Sequence, residues 1–390
     1  MAAAGRLAYD KRMDRAPERS DAGGPAGIRI EGDDYRSVAR AAAALRARLR
    51  ALGLGPHVEL STARGTVHAR LRPDRAAAWA PGHDTTGLAD RLRDALNGTG
   101  EPLERETLAA LLVAPEPMVF PSADEMDSAI RIRLDTATAA RATALAFDCD
   151  ERRPDDCWER DDEGWFRLRP GASLIDALRK ATQPGHEHPP YAFGCYRATE
   201  YVLLLAIALE AARCNPRLKD RLRERFERRP IQSREFHEAL LREHGTTEVP
   251  LPARWFVPGD RVWFRNPDER SADTEGYEGS WVIYKGGGLF SNFWQRGRPF
   301  TLTRKCIEIW HWRHAVVVDD ASGRQRIDED EVGRRVDATL ADAQETAMVL
   351  ERMQRWRDLR GVYADGGCLD RTRECARWVR PATCDVALHP

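Results

Sequence analysis

Cysteine 195 stands in surroundings that give its sulfur a chemistry. The stretch from Tyr191 to Leu209, YAFGCYRATEYVLLLAIAL, follows a Pro-rich loop (His188, Pro189, Pro190) and passes at once into apolar residues. Val202, Leu205, Ala206 and Leu209 recur at helical spacing, which predicts a buried helix with Cys195 at or just before its first turn. Unpaired backbone N–H groups and the positive end of the helix dipole favour an anion there. A thiolate is such an anion, and thiols at helix N-termini commonly ionise more easily than free cysteine. On this stretch alone a buried structural cysteine is the commoner outcome, since free Cys is among the most buried residue types. The rest of the chain has to decide.

Composition narrows the partners. The 390 residues are 42% hydrophobic and 32% charged, enough for a sizeable core under a charged surface. With 61 basic and 62 acidic residues the formal net charge is −1, so no global field draws in nucleic acid or an anionic membrane. The first residues lack the apolar segment of a secretory signal, and the run Tyr201 to Leu209 is far short of the roughly 20 residues that span a bilayer. The expectation is a soluble, cytoplasmic protein, with export by a signal-less route left open. Of eight cysteines, none form a CxxC pair and no Cys/His set has zinc-finger spacing, so no metal site is expected from them. His186 and His188 form an HxH with no third ligand nearby. Cys368, Cys375 and Cys384 cluster in the tail, as free thiols in a reducing compartment or a disulfide in an oxidising one.

Several elements must position Cys195. Residues 1–26 are Arg-, Ala-, Gly- and Pro-rich without periodicity and read as a disordered tail. Residues 27–118 read as a small α/β extension: a strand at Ile28 to Ile30, a helix from Tyr35 to Leu52, a hairpin from His57 to Leu71 turning at Ala63, Arg64 and Gly65, and a helix from Thr86 to Leu96. Residues 119–330 carry the chemistry. Ser122-Ala-Asp-Glu125 is a capping box that opens a helix expected to reach Phe147. A polar loop with Cys149 and Cys157 follows, then a strand at Gly164 to Leu168 and a helix from Ser173 to Thr182. After the Cys195 helix come a basic helical run, Lys219 to Arg229, and strands at Val257 to Phe264, Gly279 to Tyr284 and Cys306 to Asp319. Residues 331–390 read as a helical extension, with a helix from Val336 to Leu359 and an irregular Cys-containing tail.

A cysteine at a helix start, followed by strands the first of which opens with Pro-Gly-Asp, resembles the order of papain-like NlpC/P60-type cysteine enzymes. The motifs YAFGC, PGDRVWFRNPD, GYEGSWVIYKGGG and RHAVVV, with the upstream FPSADEMDSAIRIRL and GWFRLRPGASLIDAL, are more specific. They resemble the spore-coat protein-glutamine gamma-glutamyltransferases of bacilli over about Phe120 to Asp319. The resemblance implies an α+β papain-like core, with a Cys-bearing helix packed on an antiparallel sheet. It also implies acyl transfer from a protein glutamine amide to a lysine amine, or deamidation by water, through a thioester on Cys195 and without a cofactor. The partner is then a protein with glutamine and lysine side chains. Two positions depart from the family's pattern. Gly194 stands where the family has a glutamate before the nucleophile, and Ser280 where it has the catalytic glutamate of the second strand.

Two substitutes offer themselves as proton acceptors. Glu278 would share a strand face with Ser280 if pairing begins that early. His314, expected on the third strand, has a side chain suited to general-base work near neutrality; His311 would point to the opposite face. Both histidines compete with the reading of packed core imidazoles. Asp260 is expected to cap its turn, Asn266 to Asp268 to shape another, and Glu200 to face solvent or an arginine. Trp281 and Trp294, with Tyr191, Phe193 and Ser280, are the expected substrate walls. The alternatives are an NlpC/P60-type thiol amidase or peptidase, and an inactive member that uses the groove for binding.

Overall fold

The computed structural model describes residues 26–63, 65–96, 101–146, 151–185, 188–318, 323–360 and 366–388. Arg64, Cys149, His186 and the expected tail up to residue 25 lie outside these ranges.

Alternation and turn chemistry build the first unit. Strand β1 (Ile28–Glu31) leads to helix α1 (Tyr35–Ala51), where Asp34 and Ser37 form a reciprocal capping box. The hairpin β2 (Val58–Ala63) and β3 (Thr66–Leu71) falls where it was expected. Along β3 the residues Val67, Ala69 and Leu71 are buried and alternate with exposed ones. They share a core with Val38, Ala41, Ala42, Leu45 and Leu49 of α1. Helices α2 (Pro73–Trp79), α3 (Leu88–Ala95) and α4 (Pro102–Leu112) follow, then β4 (Met118–Phe120), which adds parallel to β1 to give the order β2-β3-β1-β4.

Helix α5 (Ala123–Ala142) opens at Ser122, whose hydroxyl accepts the Glu125 N–H at 3.1 Å. The expected box is only half formed. The Glu125 carboxylate turns away and accepts the N–H groups of Val379 and Arg380, both at 3.1 Å, and the Thr383 hydroxyl. The helix also stops at Ala142, before the expected Phe147, because Leu145 and Ala146 leave it as strand β5 (Leu145–Ala146). Strands β6 (Trp158–Arg160) and β7 (Phe166–Leu168) form a hairpin, and α6 (Leu174–Thr182) follows on its Ser173 cap. Strand β8 (Tyr191–Ala192) pairs parallel with β5 and delivers the chain to α7 (Cys195–Cys214). Every residue of α7 from Ala198 to Ala208 is buried. The helix is apolar all round, as suits a helix packed by α5, α6 and the elements after it.

Those elements are α8 (Pro216–Arg228), α9 (Ser233–Leu240), β9 (Leu241–His244), β10 (Arg261–Arg265), the short α10 (Glu269–Ala272), β11 (Gly279–Ile283), β12 (Leu289–Phe290) and β13 (Phe300–Thr301). Helix α11 (Leu302–Trp312) then leads to β14 (Val316–Val318), β15 (Gln325–Ile327), α12 (Glu329–Ala341), α13 (Ala343–Met353) and β16 (Arg373–Ala376). Strand β11 packs on α7 as the edge of an antiparallel sheet ordered β11-β10-β16-β9. No described helix is long and apolar enough to cross a membrane.

Three expectations are corrected. The third strand, Cys306 to Asp319, is mostly helix. Thr301 caps it by accepting the Arg304 N–H, and Leu302, Cys306 and Ile309 then fall on one buried face at helical spacing. Only Val316–Val318 is strand, and it pairs with β15 instead of joining the sheet under α7. The single helix expected from Val336 is two, divided at Asp342, whose carboxylate caps α13 through the N–H groups of Gln344 and Glu345. The tail is not irregular throughout, because Arg373–Ala376 forms the strand between β10 and β9.

Glu125 clamps this returning segment with a fully buried carboxylate. Glu125→Ala leaves two backbone N–H groups unpaired and is expected to cost about 3 kcal/mol, read as a lower urea midpoint at unchanged slope. A midpoint equal to wild type contradicts the clamp.

Candidate active site

Gly194 is the N-cap of α7 and Cys195 its first residue. A Cβ built on Gly194 meets nothing within 4 Å, so packing does not demand glycine there. The sulfur is met from the other side by β11, and strand geometry determines how. Asn266 N–H donates to Glu278 O at 3.0 Å and Tyr284 N–H to Asp260 O at 2.9 Å. These bonds turn the even-numbered residues of β11 toward β10, so the odd-numbered N–H groups point out of the sheet. Ile283 uses its outward N–H on Ser291 Oγ at 3.0 Å. The outward N–H of Trp281 donates to the Cys195 sulfur, and the Tyr196 N–H does the same from the helix.

The same register assembles the walls. Trp263 and Trp281 are directly opposed on β10 and β11 in a non-hydrogen-bonded pair, where side chains approach most closely. Their rings stack at 5.5 Å with 6° between planes, and Tyr196 meets Trp281 edge-on at 5.1 Å. Gly279 is required by this arrangement, since a Cβ there would lie 2.5 Å from both Trp263 Nε1 and Phe264 O. The Arg261 guanidinium lies 3.9 Å from the Trp281 ring centre and 4.4 Å from that of Tyr196.

Two cations act on the thiol: Lys305 of α11, itself paired with Glu308 at 3.0 Å, and Arg261. Cys195 is only partly covered as a residue, but its sulfur is enclosed by protein, and that desolvation dominates. The thiol is pushed above its ordinary value despite both N–H donors and both cations. The site is therefore built to receive negative charge and holds a protonated thiol at rest.

The structure distributes the other expected residues unequally. Trp281 stands at the sulfur. Trp294 is half-buried against the core of α7, and Tyr191 lines an open groove of about 450 Å³ with Arg152, Arg160 and His188. Phe193 is corrected: it is 1% exposed, packed against the Arg153 guanidinium at 3.9 Å and against Tyr201, and is a core residue. Ser280 is buried on the sheet face that carries Val282 and Tyr284 toward α11, not on the α7 face. Glu278 lies exposed just ahead of β11, with the ladder reaching it through its carbonyl.

His314 is corrected as well. With the third strand a helix, it falls in the turn after α11, its Nδ1 3.1 Å from His311 Nδ1, among Arg313, Arg335 and Asp268. Burial lowers its pKa, and drives that of His311, held by Thr339 Oγ1, down to about 4. Asp260 caps its turn as expected, accepting the Val257 N–H at 2.7 Å, and Glu200 faces Arg197 at 2.6 Å.

Sequence reasoning missed Arg261, Trp263, Tyr196 and Lys305. The signal for the first two was present in RVWFR, where a charge and an aromatic alternate onto the buried face of a strand. Lys305 followed from a helix that was taken for a strand.

A helix bearing a cysteine at its first position, packed on an antiparallel sheet, makes this an α+β protein. Residues 89–316, more than half the chain, match the model of the family described as protein-glutamine gamma-glutamyltransferase, and the chain belongs to that family. Among solved structures, the transglutaminase from Geobacillus stearothermophilus without its C-terminal extension matches at a TM-score of 0.36 and 20% identity, over 55% of this chain and 98% of that one. No curated protein matches.

Because the thiolate is the reactive form and burial pushes the thiol up, alkylation of Cys195 by iodoacetamide is expected to climb with pH through a midpoint above that of an ordinary cysteine. Peptide mass spectrometry separates it from the other thiols. A midpoint below that of an ordinary cysteine contradicts the dominance of desolvation.

Proposed function

We propose that the chain is a cysteine-dependent acyltransferase acting on protein glutamine through a thioester on Cys195. The observation that carries this is the N–H of an edge strand, Trp281, meeting a sulfur on the first turn of a buried helix, inside the residues that match the family. In this reading the Cys195 sulfur attacks the glutamine side-chain carbonyl carbon. A C–S bond forms and the carbonyl oxygen becomes an oxyanion among the N–H donors and cations. Collapse breaks the C–N bond, and the thiol's proton leaves on ammonia. A lysine amine then attacks the thioester, loses a proton, and the thiol is restored; water in its place gives deamidation.

Trp281, Trp294 and Tyr191 are the proposed walls for the two side chains. Glu278, exposed just ahead of β11, is the proposed carboxylate for the incoming amine. His314 has no part in it.

One observation favours a second reading. The groups that act most strongly on the thiol are cations and N–H donors, with no carboxylate among them, which suits a silent member that binds glutamine-bearing protein without turning it over. Ammonia release and labelled-amine incorporation on a glutamine-rich protein separate the two. Both products are expected from wild type and neither from Cys195→Ala, with Glu278→Gln lowering amine incorporation about tenfold or more while ammonia release falls less. Ammonia without amine incorporation makes the protein a deamidase. Equal silence in wild type and Cys195→Ala leaves the binding reading.

A further inference from the structure

Arg261 commits two of its three guanidinium nitrogens. Nε donates to Thr199 Oγ1 at 2.8 Å and Nη1 to Glu374 Oε2 at 2.5 Å. Nη2, in a side chain only 1% exposed, has no hydrogen-bond partner among the described residues. A buried donor without an acceptor costs free energy and calls for an explanation.

Its place supplies one. Thr199 is four residues after Cys195, so it lies one turn below the nucleophile on the same side of α7. The guanidinium is stacked on Tyr196, which follows the nucleophile, and on Trp281, whose N–H meets the sulfur. The charged groups around it are Glu374 and, on α7, Glu200 with its own partner Arg197; those around Cys195 are Arg261 and Lys305.

Glu374 comes from β16, directly opposite Arg261 in the sheet and well beyond the residues that match the family. Its second oxygen, Oε1, is held by His237 Nδ1 at 3.0 Å. The carboxylate is thus gripped from both sides and fixes the plane of the guanidinium. Against burial, which raises it, Arg261 and His237 hold the Glu374 carboxyl below its usual range.

We propose that Arg261 Nη2 is a catalytic donor to the anion at Cys195, first the thiolate and then the oxyanion formed from it. Glu374 is the positioning residue that aims it, so strand β16 completes the site. The oxyanion half rests on the acyl-transfer reading; the thiolate half is testable without it.

The test is the pH profile of Cys195 alkylation in the full chain, by peptide mass spectrometry, for Arg261→Gln, Arg261→Lys and Glu374→Gln. Arg261→Gln is expected to raise the thiol midpoint, cutting the rate at a fixed pH below it about tenfold. Arg261→Lys is expected to restore most of that loss. Glu374→Gln leaves the guanidinium charge uncompensated and is expected to move the midpoint the opposite way, while kcat for ammonia release falls about tenfold at unchanged KM because the donor is no longer aimed. A structural role alone has no reason to give shifts of opposite sign, and shifts of one sign or none overturn the proposal. Should Glu374→Gln lack a cooperative unfolding transition, the Arg261→Gln and Arg261→Lys pair decides. A midpoint raised by glutamine and restored by lysine supports the donor, and equal profiles overturn it. Ammonia silence in wild type sinks the reading beneath the proposal, whereas unshifted alkylation sinks the proposal itself.

Discussion

Holding negative charge at the end of a helix that is buried on every side is the constraint from which the rest of this structure follows. A helix as apolar as α7 strips water from the sulfur at its first residue, and that loss opposes ionisation more strongly than any neighbour favours it. The chain answers with donors. An edge strand leaves the Trp281 N–H unpaired within the sheet, the first turn of the helix offers another from Tyr196, and Arg261 and Lys305 bring positive charge from two further elements. The arrangement is suited to charge that appears during a reaction more than to charge held at rest. Preorganised donors in a dry site are the usual means of stabilising an acyl-transfer oxyanion.

Much of the frame was legible because its signals are local. The cap at Ser122, the hairpin around Gly65, the start of α7 and the two strands after Pro258 all follow from residues within a few positions of one another. The third strand failed for a physical reason. In CIEIWHWRHAVVV, β-branched and aromatic residues give a strand-like composition, yet the Thr301 cap and the spacing of Leu302, Cys306 and Ile309 fix a helix. Tertiary packing against α12 and α13 then takes that face. The error carried His314 with it, since the strand on which it was placed begins only at Val316. It also hid Lys305, whose approach to Cys195 exists only on the helix.

Phe193 and Glu374 mark the limit of local reasoning from opposite directions. Phe193 is two residues from Cys195 and so looked like a wall, but it is buried in the core against Arg153 and Tyr201. Glu374 is 179 positions away (374 minus 195) in a segment with no periodicity. Strand β16 carries it between β10 and β9 and so to the residue that flanks the sulfur. Nothing in the sequence announces that pairing. The Glu125 clamp on Val379 and Arg380 holds the same returning segment against α5. The segment around β16 is therefore bound into the layer that supports Cys195.

The central claim is that Cys195 forms a thioester with a glutamine side chain. The direct measurement is intact-protein and peptide mass spectrometry after rapid acid quench with a short glutaminyl peptide and no amine acceptor. The account predicts a mass gain equal to the peptide less ammonia, mapped to the peptide bearing Cys195 and discharged by hydroxylamine or added amine. An adduct confined to another cysteine, or no adduct while ammonia is released, contradicts it.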